Sequence, residues 1–166
     1  MMKALRIIVL WASLAVWAGG AVFADELMDS AEAFFKSYVD GGNQASASVV
    51  NYFADDARII AVRHLPEGGT VRIETTGEKH KKMLRKTRLR ARASKISMQA
   101  LTTFSDIAYD LEDGCVRVTA VRHVSPRQTT TPYSLLICRK DDKDWCIKEE
   151  IIELKQIPDV PPAVEP

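Results

Sequence analysis

Two charged side chains fall where an alternating pattern otherwise puts apolar ones. Over residues 115–124 the alternation places Val116, Val118, Ala120, Arg122 and Val124 on one face of a strand. Over 145–153 it places Trp145, Ile147, Glu149 and Ile151 together. Arg122 and Glu149 are therefore outliers on faces that must pack, and a charge buried without a partner is costly. One chemistry that fits is the polar end of a pocket. Arg122 would bind an anionic group, Glu149 would accept hydrogen bonds or act as a base, and Tyr133 would lie near Arg122. The alternatives are a structural ion pair, or a last strand that twists Glu149 into solvent. His64, at the end of an expected strand, is a weaker candidate for ligand contact, since an imidazole exchanges its proton near neutral pH. His80 and His123 read as exposed. Asp55-Asp56 resembles a pair of acids but reads as a turn and cap. The sequence holds no Gly-rich phosphate loop, nucleophile elbow or His-Glu metal helix, and no metal or cofactor is expected.

These residues depend on strand register, because a one-residue slip turns every side chain to the other face. With Ile137 opposite Ile147, Leu135 faces Glu149, Tyr133 faces Ile151, and Cys138 faces Cys146 on the reverse side. Directly opposed Cβ atoms lie about 4.5–5.5 Å apart, so a Cys138–Cys146 disulfide is expected, with Cys115–Cys138 as the alternative. The chain has 3 cysteines, so one is left over or pairs between chains. Their spacing does not resemble a zinc site.

The elements that must position these groups follow in chain order. Residues 1–24 have a basic start (Lys3, Arg6), an apolar centre and a small-residue exit at Val22-Phe23-Ala24. That is the layout of a secretory signal peptide cut before Asp25; an uncleaved N-terminal membrane anchor is the rival reading. The mature protein is expected to be periplasmic or secreted, where cysteines oxidise. A helix over 25–39 carries Leu27, Ala31, Phe34, Phe35 and Tyr38 at helical spacing and ends at Gly41-Gly42. A shorter helix spans 46–53. A strand over 58–64, a turn at 66–69 and a strand over 70–75 follow. Residues 78–95 are strongly basic; the first half reads as a helix burying Met83 and Leu84, and the chain extends from Arg88 into a long strand starting at Ile96. Four strands then alternate with turns to Leu154. The tail over 158–166 is rich in proline and expected to be disordered. With 166 residues and a net charge of +1, the chain amounts to one domain, over 25–157, with a real core.

The segment Tyr52-Phe53-Ala54-Asp55-Asp56-Ala57, followed by a hairpin, a helix opening at Gly77 and a long meander, resembles the nuclear transport factor 2-like family over roughly residues 26–154. The resemblance implies an α+β fold, a curved antiparallel sheet wrapped around about three N-terminal helices into a cystatin-like cone, with a pocket at the open end. The family includes ketosteroid isomerases, dehydratases, polyketide cyclases and many proteins without a known reaction, so fold alone assigns no activity. Carried over residue by residue, the isomerase base falls on Ala61, its tyrosine near Phe35, and its oxyanion-hole aspartate on Leu135 or Leu136. Alanine cannot abstract a proton and leucine cannot donate to an oxyanion, so that reaction is not expected.

Two functions of different class fit. One is a binding module holding a small, anionic ligand at Arg122, Glu149, Tyr133 and His64. The other is a cell-envelope subunit that forms a homodimer through its sheet and lays Lys79, Lys82, Arg85 and Lys86 on anionic lipid or polysaccharide. Nucleic acid is not an expected partner, because the basic run has almost no interleaved aromatics for stacking.

Overall fold

A computed structural model describes residues 25–65, 67–93, 101–125, 129–141 and 144–154, with the backbone alone over 88–93. The expected leader, its cleavage point, the Pro-rich tail and the strand start at Ile96 lie outside the described residues. Helix α1 (25–43) is followed by a 3-10 helix (Ala47–Tyr52), β1 (Phe53–His64), β2 (Thr70–Thr76), α2 (Gly77–Ala93), β3 (Thr102–Glu112), β4 (Cys115–Val124), β5 (Thr129–Arg139) and β6 (Trp145–Leu154). The strands form one six-stranded sheet in the order β2-β1-β6-β5-β4-β3. Neighbours are antiparallel except β1 and β6, which run parallel. The meander expected at the C-terminal end is therefore present, and one parallel seam joins it to the N-terminal hairpin.

α1 runs past Gly41-Gly42, where the sequence suggested a stop. Its closure comes at Ala45, whose φ of 52° is left-handed. The Ser46 amide donates to Gly41 O at 2.9 Å and the Ala45 amide to Gly42 O at 3.1 Å, which satisfies two terminal carbonyls in a Schellman pattern. Phe35 and Ala31 on this helix are buried, and Phe35 joins Val49, Phe53, Val118, Leu135, Ile137 and Ile147 in the core between helices and sheet.

The acidic segment after Phe53 belongs to β1 rather than to a turn. Along β6, Ile147 pairs with Phe53 and Glu149 with Arg58, so β1 bulges outward over residues 54–57. Asp55 and Asp56 point from this bulge to Lys81 at 2.8 Å and Lys148 at 2.9 Å. The bulge is also where α2 begins. A Cβ added at Gly77 would lie 1.9 Å from Ala54 O and 3.0 Å from Ala57 Cβ, so only glycine allows so close an approach. α2 then stays helical through Ala93 instead of extending from Arg88, and of the two residues expected to be buried there, Met83 is 54% exposed while Leu84 packs against the core.

β5 starts at Thr129 and includes Pro132. The ladder to β6 reaches only as far as Tyr133, so the missing proline N–H is needed by no neighbour. Asp113 and Gly114 both take positive φ, 49° and 77°, which makes the turn between β3 and β4 a type I′ hairpin turn.

The disulfide joins Cys115 to Cys138, with Cα atoms 4.3 Å apart, and Cys146 is free. The expected Cys138–Cys146 bond is thus replaced by its alternative, although all three cysteines lie in one row across β4, β5 and β6. The reason is the two-sided spacing of an antiparallel strand. A 4.3 Å separation is that of a non-hydrogen-bonded pair, so Cys138 directs its amide and carbonyl toward β6, where the opposite pair is wider, about 5.5 Å. Burial pushes the Cys146 thiol up, which keeps it protonated and a poor nucleophile.

Candidate functional site

One residue decides the site. β6 pairs Ile147 with Ile137, and Cys146 with Cys138, as the alternation requires. The next step along β5, to Leu136, corresponds to two steps along β6, to Glu149. Lys148 is the extra residue, a bulge that sits beside the β1 bulge and pairs with Asp56 there. Beyond it every β6 side chain is turned over: Leu135 faces Glu150 and Tyr133 faces Ile152.

Glu149 is therefore not on the inner face. It lies on the outer side of the sheet, 2.7 Å from Arg117 and 3.2 Å from Arg58, and these arginines also hold Glu112 and Glu74. The two carboxylates around Arg117 hold its guanidinium well above its ordinary range, so the group is an outer charge network and not a pocket. Arg122, on the unslipped β4–β5 ladder, keeps its inward place, half-buried, opposite Thr131. The two charged outliers of the sequence thus lie on opposite faces and form no pair.

Glu150 takes the inner position, 3% exposed. Its Oε1 accepts hydrogen bonds from Tyr38 of α1 and Tyr133 of β5, both at 2.8 Å. Burial, and after it the Glu150 charge, hold both phenols well above the usual tyrosine range, so both remain protonated donors. Around this trio is a cavity of about 240 Å³, lined by Phe53, His80, Leu84, Phe104, Arg122 and Ile152 among others. The His80 ring, from α2, packs edge-on to Phe53 at 4.8 Å. Burial pulls its imidazole down, against the opposing pull of Glu150, so at neutral pH it is an uncharged donor or acceptor. Among the described residues no ion pair or hydrogen bond holds the Arg122 guanidinium.

Of the residues singled out from the sequence, Arg122 and Tyr133 meet in this cavity. His64 does not; its Nε2 donates to Glu153 Oε2 at 3.0 Å beside the sheet. His80, read as exposed, lines the cavity because α2 lies across Phe53. Tyr38 was legible only as part of an apolar helix face, and Glu150 only as a residue of the opposite face. His123, also read as exposed, is half-buried and contacts Ser105 and Thr130 at 2.9 and 3.2 Å. Phe35 and Leu135 are core residues and Ala61 pairs with Ile73 and Ile152. Lys79, Lys82, Arg85 and Lys86 are exposed along α2, Lys82 bound to Glu78 at 2.7 Å.

A larger, more open groove of about 990 Å³ runs between the 3-10 helix, the β1 bulge and the β5–β6 turn. Its acids Asp55 and Asp56 are held by Lys81 and Lys148, so volume alone does not make it the better site. The smaller cavity combines a cation without a partner among the described residues, a buried carboxylate and aromatic walls, so it is the candidate site.

No protein-family model and no curated protein sequence matches the chain. Solved structures do. A chain of naphthalene 1,2-dioxygenase, solved with indole bound in its active site, is similar with a TM-score of 0.59 and 6% identity, covering 80% of each chain. A nuclear transport factor 2-like protein of unknown function from Pseudomonas putida KT2440 gives 0.53 and 7% identity, over 76% of this chain and 85% of that one. A nuclear transport factor 2-like protein with a cystatin-like fold from Novosphingobium aromaticivorans gives 0.52 and 10% identity, over 82% and 87%. The chain thus has the fold of nuclear transport factor 2-like proteins.

Proposed function

We propose that this chain is an exported binding module that holds a small organic acid in the 240 Å³ cavity, with Arg122 on the acid group. The observation that carries the reading is the Arg122 guanidinium, without an ion-pair or hydrogen-bond partner among the described residues, at the wall of a cavity lined largely by aromatic and aliphatic side chains. A half-buried cation is worth placing there if an anion completes it. The volume lies below the roughly 300–1,000 Å³ of drug-sized sites, which favours a ligand of about the size of one aromatic ring with a short acid arm. Export is supported by the layout of residues 1–24 and by the Cys115–Cys138 disulfide. Among the described residues no helix is long and apolar enough to cross a membrane.

Isothermal titration of the mature protein with 3-phenylpropionate tests the reading. A charge-assisted contact is worth about 1.5–3 kcal/mol, so Arg122→Met should weaken binding at least tenfold while the urea midpoint stays close to that of the parent. Equal binding by the two proteins, or none by either, removes the reading. The envelope-subunit alternative rests on the exposed Val71 and Ile73 of edge strand β2, 41% and 48% exposed. It requires a dimer in gel filtration that charged substitutions at these two positions dissolve.

A further inference from the structure

We infer that the ligand is amphoteric, carrying an ammonium as well as a carboxylate on a compact apolar body, with the ammonium received by Glu150. This rests on the reading of the cavity as an acid-binding site and adds the second half of the ligand. Both phenolic donors near Glu150 go to the same oxygen, Oε1. Oε2 has no hydrogen-bond partner among the described residues. It is also not sealed away, because the fully buried side-chain polar atom left unpartnered among those residues is Thr131 Oγ1 alone. Oε2 therefore opens on the cavity that Glu150 lines. It is an acceptor to which no described residue donates.

Arg122 and Glu150 do not neutralise one another, since no ion pair within 4.0 Å joins them. They are held apart by the sheet. Arg122 sits opposite Thr131 and Glu150 opposite Leu135, on the two strands that flank β5, in rows four residues apart, about 13 Å along the strand direction alone at 3.3 Å per residue. Long side chains narrow that distance without closing it. A cation and an anion that face one small cavity without touching form a complementary frame for a zwitterion. The walls between them, Phe53, Phe104, Leu84 and Ile152, match an aromatic or branched aliphatic body. A simple acid would satisfy Arg122 and leave Oε2 facing apolar carbon, which is unfavourable for a carboxylate oxygen. Tyr38 and Tyr133 fix the carboxyl group through Oε1, so the orientation of Oε2 exists before a ligand arrives.

The test is a set of matched pairs titrated into the mature protein: L-phenylalanine against 3-phenylpropionate, and 4-(aminomethyl)benzoate against 4-methylbenzoate. The two pairs differ in how far the ammonium stands from the carboxylate. At least one amine-bearing acid should bind ten times more tightly than its amine-free counterpart. Glu150→Gln should erase that advantage, with the amine-free acids bound at least as tightly as by the parent because the unfavourably placed carboxylate oxygen is gone; circular dichroism and the acid binding report that this variant is folded. Amine-free acids that bind as tightly as both amphoteric ones, still through Arg122, would overturn the inference and leave the acid-binding reading standing. No Arg122-dependent binding by any of the four compounds would overturn both.

Discussion

Removing the two phenols that hold Glu150 should give a non-additive loss of stability. Tyr133→Phe or Tyr38→Phe deletes one hydroxyl and little volume, so packing against Phe104 and Phe53, at centroid distances of 4.8 and 5.8 Å, is kept. Each change removes a 2.8 Å hydrogen bond to a carboxylate. Hydrogen bonds to charged groups are worth about 1.5–3 kcal/mol. Either single variant should fall near the lower end, because the other phenol still serves Oε1. The double variant leaves a carboxylate that is 3% exposed with neither donor, so the full cost of a buried unsatisfied charge appears only then. The coupling should be at least about 1 kcal/mol beyond the sum of the single losses, within the 0.5–3 kcal/mol range of groups sharing one partner. Urea unfolding of the four proteins measures it, with equal m-values as the check that the unfolded state has not changed. Strict additivity, or single losses under about 0.5 kcal/mol, would mean that water reaches Oε1 and that the trio does not hold the carboxylate as described.

The pH dependence carries a second expectation. His80 is held below its ordinary range, so below about pH 6.5 the unfolded chain binds a proton there that the folded chain resists. Stability present above that pH is lost as pH falls, and His80→Gln should unfold with a visibly shallower loss between pH 7 and 5; equal slopes would place His80 in solvent. Gly77→Ala should cost about 3 kcal/mol or more or prevent folding, because its Cβ meets backbone at Ala54 O rather than a side chain that can turn away; a near-neutral result in thermal unfolding would contradict the packing of α2 on the β1 bulge. Peptide mapping without reduction should return Cys115 joined to Cys138 and alkylation of Cys146 only after unfolding. The 23-residue separation implies about 3 kcal/mol of stabilisation by the bond, and a Cys138–Cys146 peptide would refute the pairing.

The fold was legible because its signals are repeated. Period-2 alternation in β4 and β5, the Asp113-Gly114 turn and the helical spacing of Leu27, Ala31, Phe35 and Tyr38 each specify an element that many residues agree on. Arg122 was legible for the same reason: no irregularity interrupts β4 against β5. What failed were features decided by a single contact. Gly41-Gly42 stay within α1, and a Cβ added at Gly41 would lie 3.1 Å from Val49 Cγ2, so the small residue there serves close packing, which the glycine signal alone does not distinguish from a stop. The extent of α2 beyond Arg88 follows from a helix already nucleated against β1, although its basic residues alternate locally like a strand. The partner of Cys138 depends on which side of β5 carries the hydrogen bonds, which residue types do not encode.

The exchange of Glu149 for Glu150 is the most consequential of these, and it has a physical cause. Lys148-Glu149-Glu150 offers two identical acids in succession, so a one-residue slip swaps one for the other without changing the pattern of residue types. The choice is made by what each carboxylate meets. Without the bulge, Glu149 would face Leu135 on the core side, and Arg117 and Arg58 would lose the acid between them. With it, Glu149 lies between Arg117 and Arg58 at 2.7 and 3.2 Å, Glu150 meets two phenols at 2.8 Å, and Lys148 reaches Asp56 at 2.9 Å. One extra residue therefore satisfies three charges at once, and it does so where β1 is already bulged and can yield the space. The bulge also separates two positions: the outer glutamate ties three strands together, and the inner one lines the cavity with an Oε2 that has no partner among the described residues. A substitution that removed the bulge would not merely loosen β6; it would exchange the two glutamates and leave Arg122 facing a cavity without its acidic wall.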